Sequence, residues 1–148
     1  MKKLLPPILF LLFIVLILVS CWLLGSRHNL AFPYNLLGIP WILIGYLMAI
    51  KGKNLFKKRD TNIMTFERPD KLVTEGLYRF SRNPMYLGFV IALFGVALVS
   101  GAAISSFLWV VLFVIITNTW YIAFEEKVMV EIFGQEYENY CKRVRRWI

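Results

Sequence analysis

Histidine is almost absent from this chain: His28 is the only one in 148 residues. A histidine-rich metal centre is thereby excluded. Cysteine is nearly as scarce. Cys21 lies within an apolar run and Cys141 in a basic tail, so no metal-ligand spacing exists and a structural disulfide is not expected. Acidic residues number nine against 17 Lys and Arg, and all nine fall outside the apolar runs. No internal repeat, low-complexity tract or second domain is visible. What the chain does have is apolar surface: 59% of it is hydrophobic and its mean hydropathy is +0.63. That composition belongs to membrane proteins. The net charge of +8 is confined to the N-terminus, one long loop and the tail. It reads as topological bias and attraction to an anionic leaflet rather than as a nucleic-acid surface.

The apolar runs predict an all-α membrane protein with about four transmembrane helices, near residues 5–24, 36–50, 84–100 and 106–124, in a single domain covering residues 1–148. Met1-Lys2-Lys3 ahead of an apolar run has the look of a signal peptide, and Leu18-Val19-Ser20-Cys21 that of a lipoprotein processing site. The run continues through Trp22-Leu23-Leu24, so it is read as a retained first helix. Pro6 and Pro7 fall in its first turn, where a missing N–H costs little. The second run contains Gly38, Pro40 and Gly45, which neighbouring helices must accommodate. In the third, Gly88 and Ala92 have the four-residue spacing that permits close helix contact. Gly101-Ala102-Ala103 predicts a tight hairpin. In the tail, apolar residues from Val128 to Ile148 recur with helical period, so residues 125–148 are expected to form an amphipathic helix interrupted near Gly134 and ended by an interfacial anchor at Arg145-Arg146-Trp147.

With the N-terminus inside, Lys2, Lys3, the nine bases of the 51–83 loop and the five of the tail lie on the cytoplasmic side, and Arg27 alone lies outside. That orientation brings two polar features together. Arg79-Phe80-Ser81-Arg82-Asn83-Pro84-Met85-Tyr86-Leu87-Gly88 enters the membrane as a basic, proline-broken loop. Glu125-Glu126 stands where the chain leaves it. Charge held at a membrane rim is expensive and marks a functional site. The arrangement predicts a polar ligand site facing the cytoplasm.

Gly76-Leu77-Tyr78-Arg79 through Pro84-Met85-Tyr86, then Glu125-Glu126, Phe133-Gly134-Gln135-Glu136-Tyr137 with Tyr140, and Val144-Arg145-Arg146-Trp147 together resemble the isoprenylcysteine carboxyl methyltransferase family. The phospholipid methyltransferases are its near relatives. The resemblance covers roughly residues 72–148. It implies an integral membrane enzyme using S-adenosyl-L-methionine, with a lipophilic or lipid-modified acceptor and membrane lipids as partners. It places the cofactor against Lys71, Leu72, Val73, Tyr78, Asn83, Pro84, Met85, Tyr86 and Glu125. Asn83 stands where the family signature has histidine, and cannot carry its charge. Tyr121 stands where eukaryotic members carry an arginine implicated with the acceptor.

A glutamate at a low-dielectric rim suits the cofactor's ammonium. Arg82, Asn83 and the N–H groups opening the third helix suit its carboxylate, and aromatic faces suit adenine or sulfonium. Glu126 and Tyr121 are the candidate bases for an amine acceptor, so Glu126, Tyr121 and Arg82 make up the candidate catalytic set. Alternatives remain open: a phospholipid or lipid-amine N-methyltransferase, a sterol-reductase-like enzyme using NADPH, or a non-catalytic membrane scaffold.

Overall fold

A computed structural model of the protein describes residues 5–23, 29–59 and 70–148. Lys2, Lys3, Leu24, Arg27, His28 and residues 60–69 lie outside the described residues, and with them part of the charge count behind the expected orientation. Among the described residues six α-helices follow one another: α1 (Pro6–Leu23), α2 (Gly38–Lys58), α3 (Pro84–Val99), α4 (Ile104–Ile116), α5 (Ala123–Phe133) and α6 (Gln135–Arg143). The protein is an all-α membrane protein. Pro6–Leu23, Tyr34–Lys58 and Ile104–Phe133 are each long and apolar enough to cross a bilayer, and Pro84–Val99 is a shorter apolar helix.

The boundaries correct the sequence reading in two places. α2 does not stop at residue 50 but runs through the basic stretch to Lys58. Lysines are good helix formers, and leaving the hydrocarbon layer is no reason for a helix to end. Nor does the chain break at residue 124. α4, a π-helical segment over Thr117–Ile122 and α5 form one continuous helical run, so Glu125 and Glu126 stand inside a rod. Thr117 donates its hydroxyl back to the Phe113 and Val114 carbonyls at 2.8 and 3.1 Å, and Thr119 to that of Ile115 at 2.7 Å. Such back-bonding competes for the helix's own acceptors and accompanies the widened turn. The rod ends at Gly134, whose φ of 48° is cheap only for glycine.

α3 is the central helix, packed by α2 on one side and by α1 and α4 on the other. Residues are buried around most of its circumference, Tyr86, Gly88, Ala92, Leu93, Gly95 and Ala97 among them. The main core joins Leu9, Phe13 and Ile17 of α1 to Leu93 and Ala97 of α3 and to Val110 and Phe113 of α4. Phe13 meets the Phe113 ring edge-on at 5.3 Å. Outward, α1 and α2 display Leu11, Val15, Leu43 and Leu47 at more than half exposure, an apolar skin suited to lipid and not to water.

Between α2 and α3 the contact is backbone on backbone. A Cβ built on Gly45 would stand 2.3 Å from the Gly88 carbonyl oxygen, and one on Gly38 2.3 Å from that of Gly95. Gly52 continues the line, its missing Cβ facing Met85. The seven-residue spacing of Gly38, Gly45 and Gly52 keeps all three on one stripe of α2. At one end of the bundle, Asn35 donates Nδ2 to the Val99 carbonyl at 3.0 Å, and Asn29 to that of Ala102 at 2.9 Å. The opposite end carries the loop that enters α3.

The tail carries the expected amphipathic helix, interrupted at Gly134 into the end of α5 and α6. Tyr137, Tyr140 and Val144 of α6 and the segment after it are buried against Leu72, Met129 and Phe133. Its apolar face is therefore spent on its own chain.

Candidate functional site

The loop into α3 opens at Gly76, whose φ of 58° lets the chain turn over the Leu55 side chain. The short 3₁₀ turn Gly76–Arg79 then drives Tyr78 inward. Tyr78 is buried, meets Phe56 edge-on at 5.3 Å, and accepts a hydrogen bond on its carbonyl from the Tyr140 hydroxyl at 2.6 Å. Burial first, and then the Glu125 carboxylate, push its phenol far above the usual range. Tyr78 and Glu125 are thus electrostatic neighbours although they are distant in sequence. Pro84 starts α3 at its first position, where its lack of an N–H is harmless. Two residues later Tyr86 donates its hydroxyl to Glu125 Oε1 at 2.8 Å, and its ring lies 6.4 Å from that of Tyr121. Met85 fills the notch above Gly52, next to the Tyr78 hydroxyl.

Apart from Pro84, which starts α3, the sequence-predicted residues therefore fall into three groups. Tyr78, Met85, Tyr86, Tyr121 and Glu125 form one, an aromatic cluster around a carboxylate. Lys71, Leu72 and Val73 belong to a second: with Arg59, Phe133 and Glu136 they line a cavity of about 380 Å³. Phe133 lies eight residues beyond Glu125 on the same helix, about 12 Å along its axis.

Arg82, Asn83 and Glu126 form the third group, whose side chains hydrogen-bond to the tail, with Arg82 Nε buried and without a partner. Arg82 bridges Glu126 at 2.7 Å and donates to the Cys141 and Val144 carbonyls at 3.2 and 3.0 Å. Burial opposes the Arg82 charge, but the hydrogen bond and charge of Glu126 outweigh it and hold the guanidinium more firmly protonated. Glu126 also binds Arg146 through both of its oxygens. Asn83 does not cap α3 with its side chain; its Nδ2 donates to the Arg146 carbonyl at 3.0 Å. Ser81 Oγ accepts the Asn83 N–H at 3.1 Å instead.

Sequence reasoning missed Arg146 and Asn118 as parts of this group. Asn118, on the π-helical segment, accepts from Arg146 at 3.2 Å and from the Trp147 indole at 3.1 Å. The signal available was the Arg145-Arg146-Trp147 run, which also fits an interfacial anchor. Gly52 was missed as well, although its spacing from Gly45 was visible.

Arg59 and Glu75, which both line the cavity, form an ion pair. The hydrogen bond to Arg59, and then its charge, hold the Glu75 carboxyl below its ordinary value. A lowered folded-state value means the tie is present above the unfolded value and lost as pH falls through the folded one. Amide exchange at residues 76–80, corrected for intrinsic rate, is expected to speed up below about pH 4 and to stay flat between pH 6 and 9. Glu75→Gln should show the faster rate at pH 7. Both groups are solvent-exposed, so the effect is small.

A phospholipid methyltransferase family profile matches residues 33–136 of this chain. Methanethiol S-methyltransferase of Pseudomonas deceptionensis is 35% identical over 129 residues, 83% of this chain and 47% of that protein. Protein-S-isoprenylcysteine O-methyltransferase of Schizosaccharomyces pombe is 38% identical over 74 residues, 49% of this chain and 30% of that protein. Methanethiol S-methyltransferase 1 of Bradyrhizobium diazoefficiens is 33% identical over 79 residues, 51% of this chain and 25% of that protein. No solved structure matches. The chain spans between a quarter and about half of the length of these relatives. Most of the chain, including the loop into α3 and the Glu125-Glu126 pair, lies within the matched region, and the chain belongs to the phospholipid methyltransferase family.

Proposed function

We propose that this protein transfers a methyl group from S-adenosyl-L-methionine to a lipophilic acceptor, at a site facing the cytoplasm. The observation that carries this reading is the Tyr86 to Glu125 hydrogen bond beside buried Tyr78, in a member of a methyltransferase family. The cofactor would supply a methyl already activated on a sulfonium. The donor set fits such a ligand. Glu125 offers a carboxylate for its ammonium, oriented by the Tyr86 hydroxyl. Lys71 and Arg59 offer positive charge at the cavity, and Asp70 and Glu136 offer acceptors for hydroxyls. A volume near 380 Å³ lies within the usual span of small-molecule sites, roughly 300–1,000 Å³. The chain's own work is then to hold donor and acceptor in line and to keep water out. Tyr121, beside Tyr86, faces the place where an acceptor would approach.

The acceptor reaches this site laterally from the bilayer, between helices, while the cofactor enters from the aqueous side. A sulfur-bearing or lipid-linked acceptor is favoured over a phospholipid amine, because the relatives that align with this chain are named for methanethiol and for isoprenylcysteine. The test is S-adenosylhomocysteine binding by calorimetry in detergent, followed by transfer of labelled methyl to methanethiol, a prenylcysteine and phosphatidylethanolamine in turn. Glu125→Gln should weaken binding by about 1.5–3 kcal/mol, the loss of a charged hydrogen bond. Unchanged binding in that variant removes Glu125 from the site. NADPH binding in place of S-adenosylhomocysteine would favour the reductase reading.

A further inference from the structure

The segment after α6 does more than end the chain's packing. Residues 144–147 lie along the loop that enters α3. The Arg82 N–H donates to the Arg145 carbonyl at 3.0 Å, and Asn83 Nδ2 to the Arg146 carbonyl at 3.0 Å. The Arg146 side chain crosses to the rod, binding Glu126 and reaching Asn118 at 3.2 Å, and the Trp147 indole reaches the same Asn118 oxygen at 3.1 Å. Asn118 and Glu126 are eight residues apart, on either side of the point where the π-helical segment gives way to α5.

We infer that residues 144–147 form a strap that sets the rotation of the rod at this junction and so aims Glu125, with Arg146 as a positioning residue. Successive residues on a helix point about 100° apart. Holding Glu126 against Arg82 and Arg146 on one side leaves Glu125 directed at Tyr86 on another. A π-helical segment replaces the i to i−4 ladder with wider i to i−5 bonds and so changes the rotation of the residues that follow it. A tie spanning the junction holds the rotation that results. The same geometry gives Asn83 a role that needs no charge, since it holds the strap by donating one hydrogen bond.

This inference rests on the proposed methyl transfer for its functional half, and the two fail differently. The probe is S-adenosylhomocysteine, measured with wild type, Arg146→Ala, Glu125→Gln and the double variant. Arg146→Ala should weaken binding at least fivefold in the wild-type background. In the Glu125→Gln background it should change binding less than twofold. Arg146→Lys, which can reach Glu126 but not fork to Asn118 as well, should fall between. Lys142→Ala, on the exposed side of α6, should match wild type. Hydrogen exchange at the Arg82 amide, protected by the Arg145 carbonyl, should accelerate in Arg146→Ala whether or not any ligand binds.

Equal losses in both backgrounds would mean a general structural role and overturn the aiming. Unchanged exchange at Arg82 would overturn the strap. If wild type binds no S-adenosylhomocysteine, the reading of the site falls, and the aiming role with it, while the exchange result still decides whether the strap exists. Should Arg146→Ala not fold, Arg146→Lys carries the same comparison.

Discussion

Gly45→Ala is expected to cost more than about 3 kcal/mol and to leave little protein that stays monodisperse in detergent. One methyl group is enough, because it would stand 2.3 Å from the Gly88 carbonyl oxygen and 2.5 Å from the Ala92 nitrogen. Backbone atoms cannot turn away as a side chain can, so α2 and α3 would have to separate along the seam. In a bilayer no hydrophobic drive between helices compensates for that loss, since association there depends on close packing. Gly52→Ala is the matched comparison. Its Cβ meets the Met85 Cγ at 2.7 Å, and methionine is flexible, so the cost should stay within about 1–3 kcal/mol. Thermal unfolding of both variants in one detergent measures the difference. A Gly45→Ala melt indistinguishable from wild type would show that the two helices are not held backbone to backbone.

Glu126→Ala carries the second large effect, a loss of about 3 kcal/mol or more. Its carboxylate serves two guanidinium groups. Arg82 keeps 13% of its side-chain surface exposed and Arg146 36%, so Arg82 would be left with little water to replace its partner while Arg146 stays partly solvated. Glu126→Gln keeps an acceptor for one arginine but removes the charge, and should lie between Ala and wild type. The comparison also separates two roles for this residue. A residue that holds the site together lowers the melting temperature in step with activity. A general base for the acceptor lowers activity by orders of magnitude in Glu126→Gln while the fold survives. The pairing of Glu126 with Arg82 and Arg146 favours the first.

How far the sequence alone reached depended on the range of the forces involved. The apolar runs announced the membrane helices, since lipid imposes both length and composition on a spanning segment. The grouping of Tyr78, Tyr86 and Glu125 came from the family resemblance, and the expected placement of both motifs on one side of the bilayer allowed it. Helix ends were less legible. Lys51 looked like an exit, but α2 persists to Lys58 because the backbone does not register where lipid stops. The π-helical segment was invisible, as threonines in an apolar run have many uses. The amphipathic tail was legible, but its covering was not: periodicity shows that α6 has an apolar face and leaves open what covers it. The tail tyrosines cover Leu72 and the end of α5. Asn83 was read against a histidine and judged by the charge it lacks, whereas its contact in the fold requires only an N–H.

The glycine stripe, finally, is poor at telling one alignment of α2 and α3 from another. Sliding the antiparallel pair by one heptad, about 10.5 Å, would set Gly45 opposite Gly95 and Gly52 opposite Gly88, again two close approaches. Surfaces without side chains fit together like a vernier with several coincident marks. The observed alignment is favoured by features at one end, Asn35 on the Val99 carbonyl and Asn29 on the Ala102 carbonyl. The glycines make the contact tight, and two polar side chains at one end favour this contact among those the glycines allow.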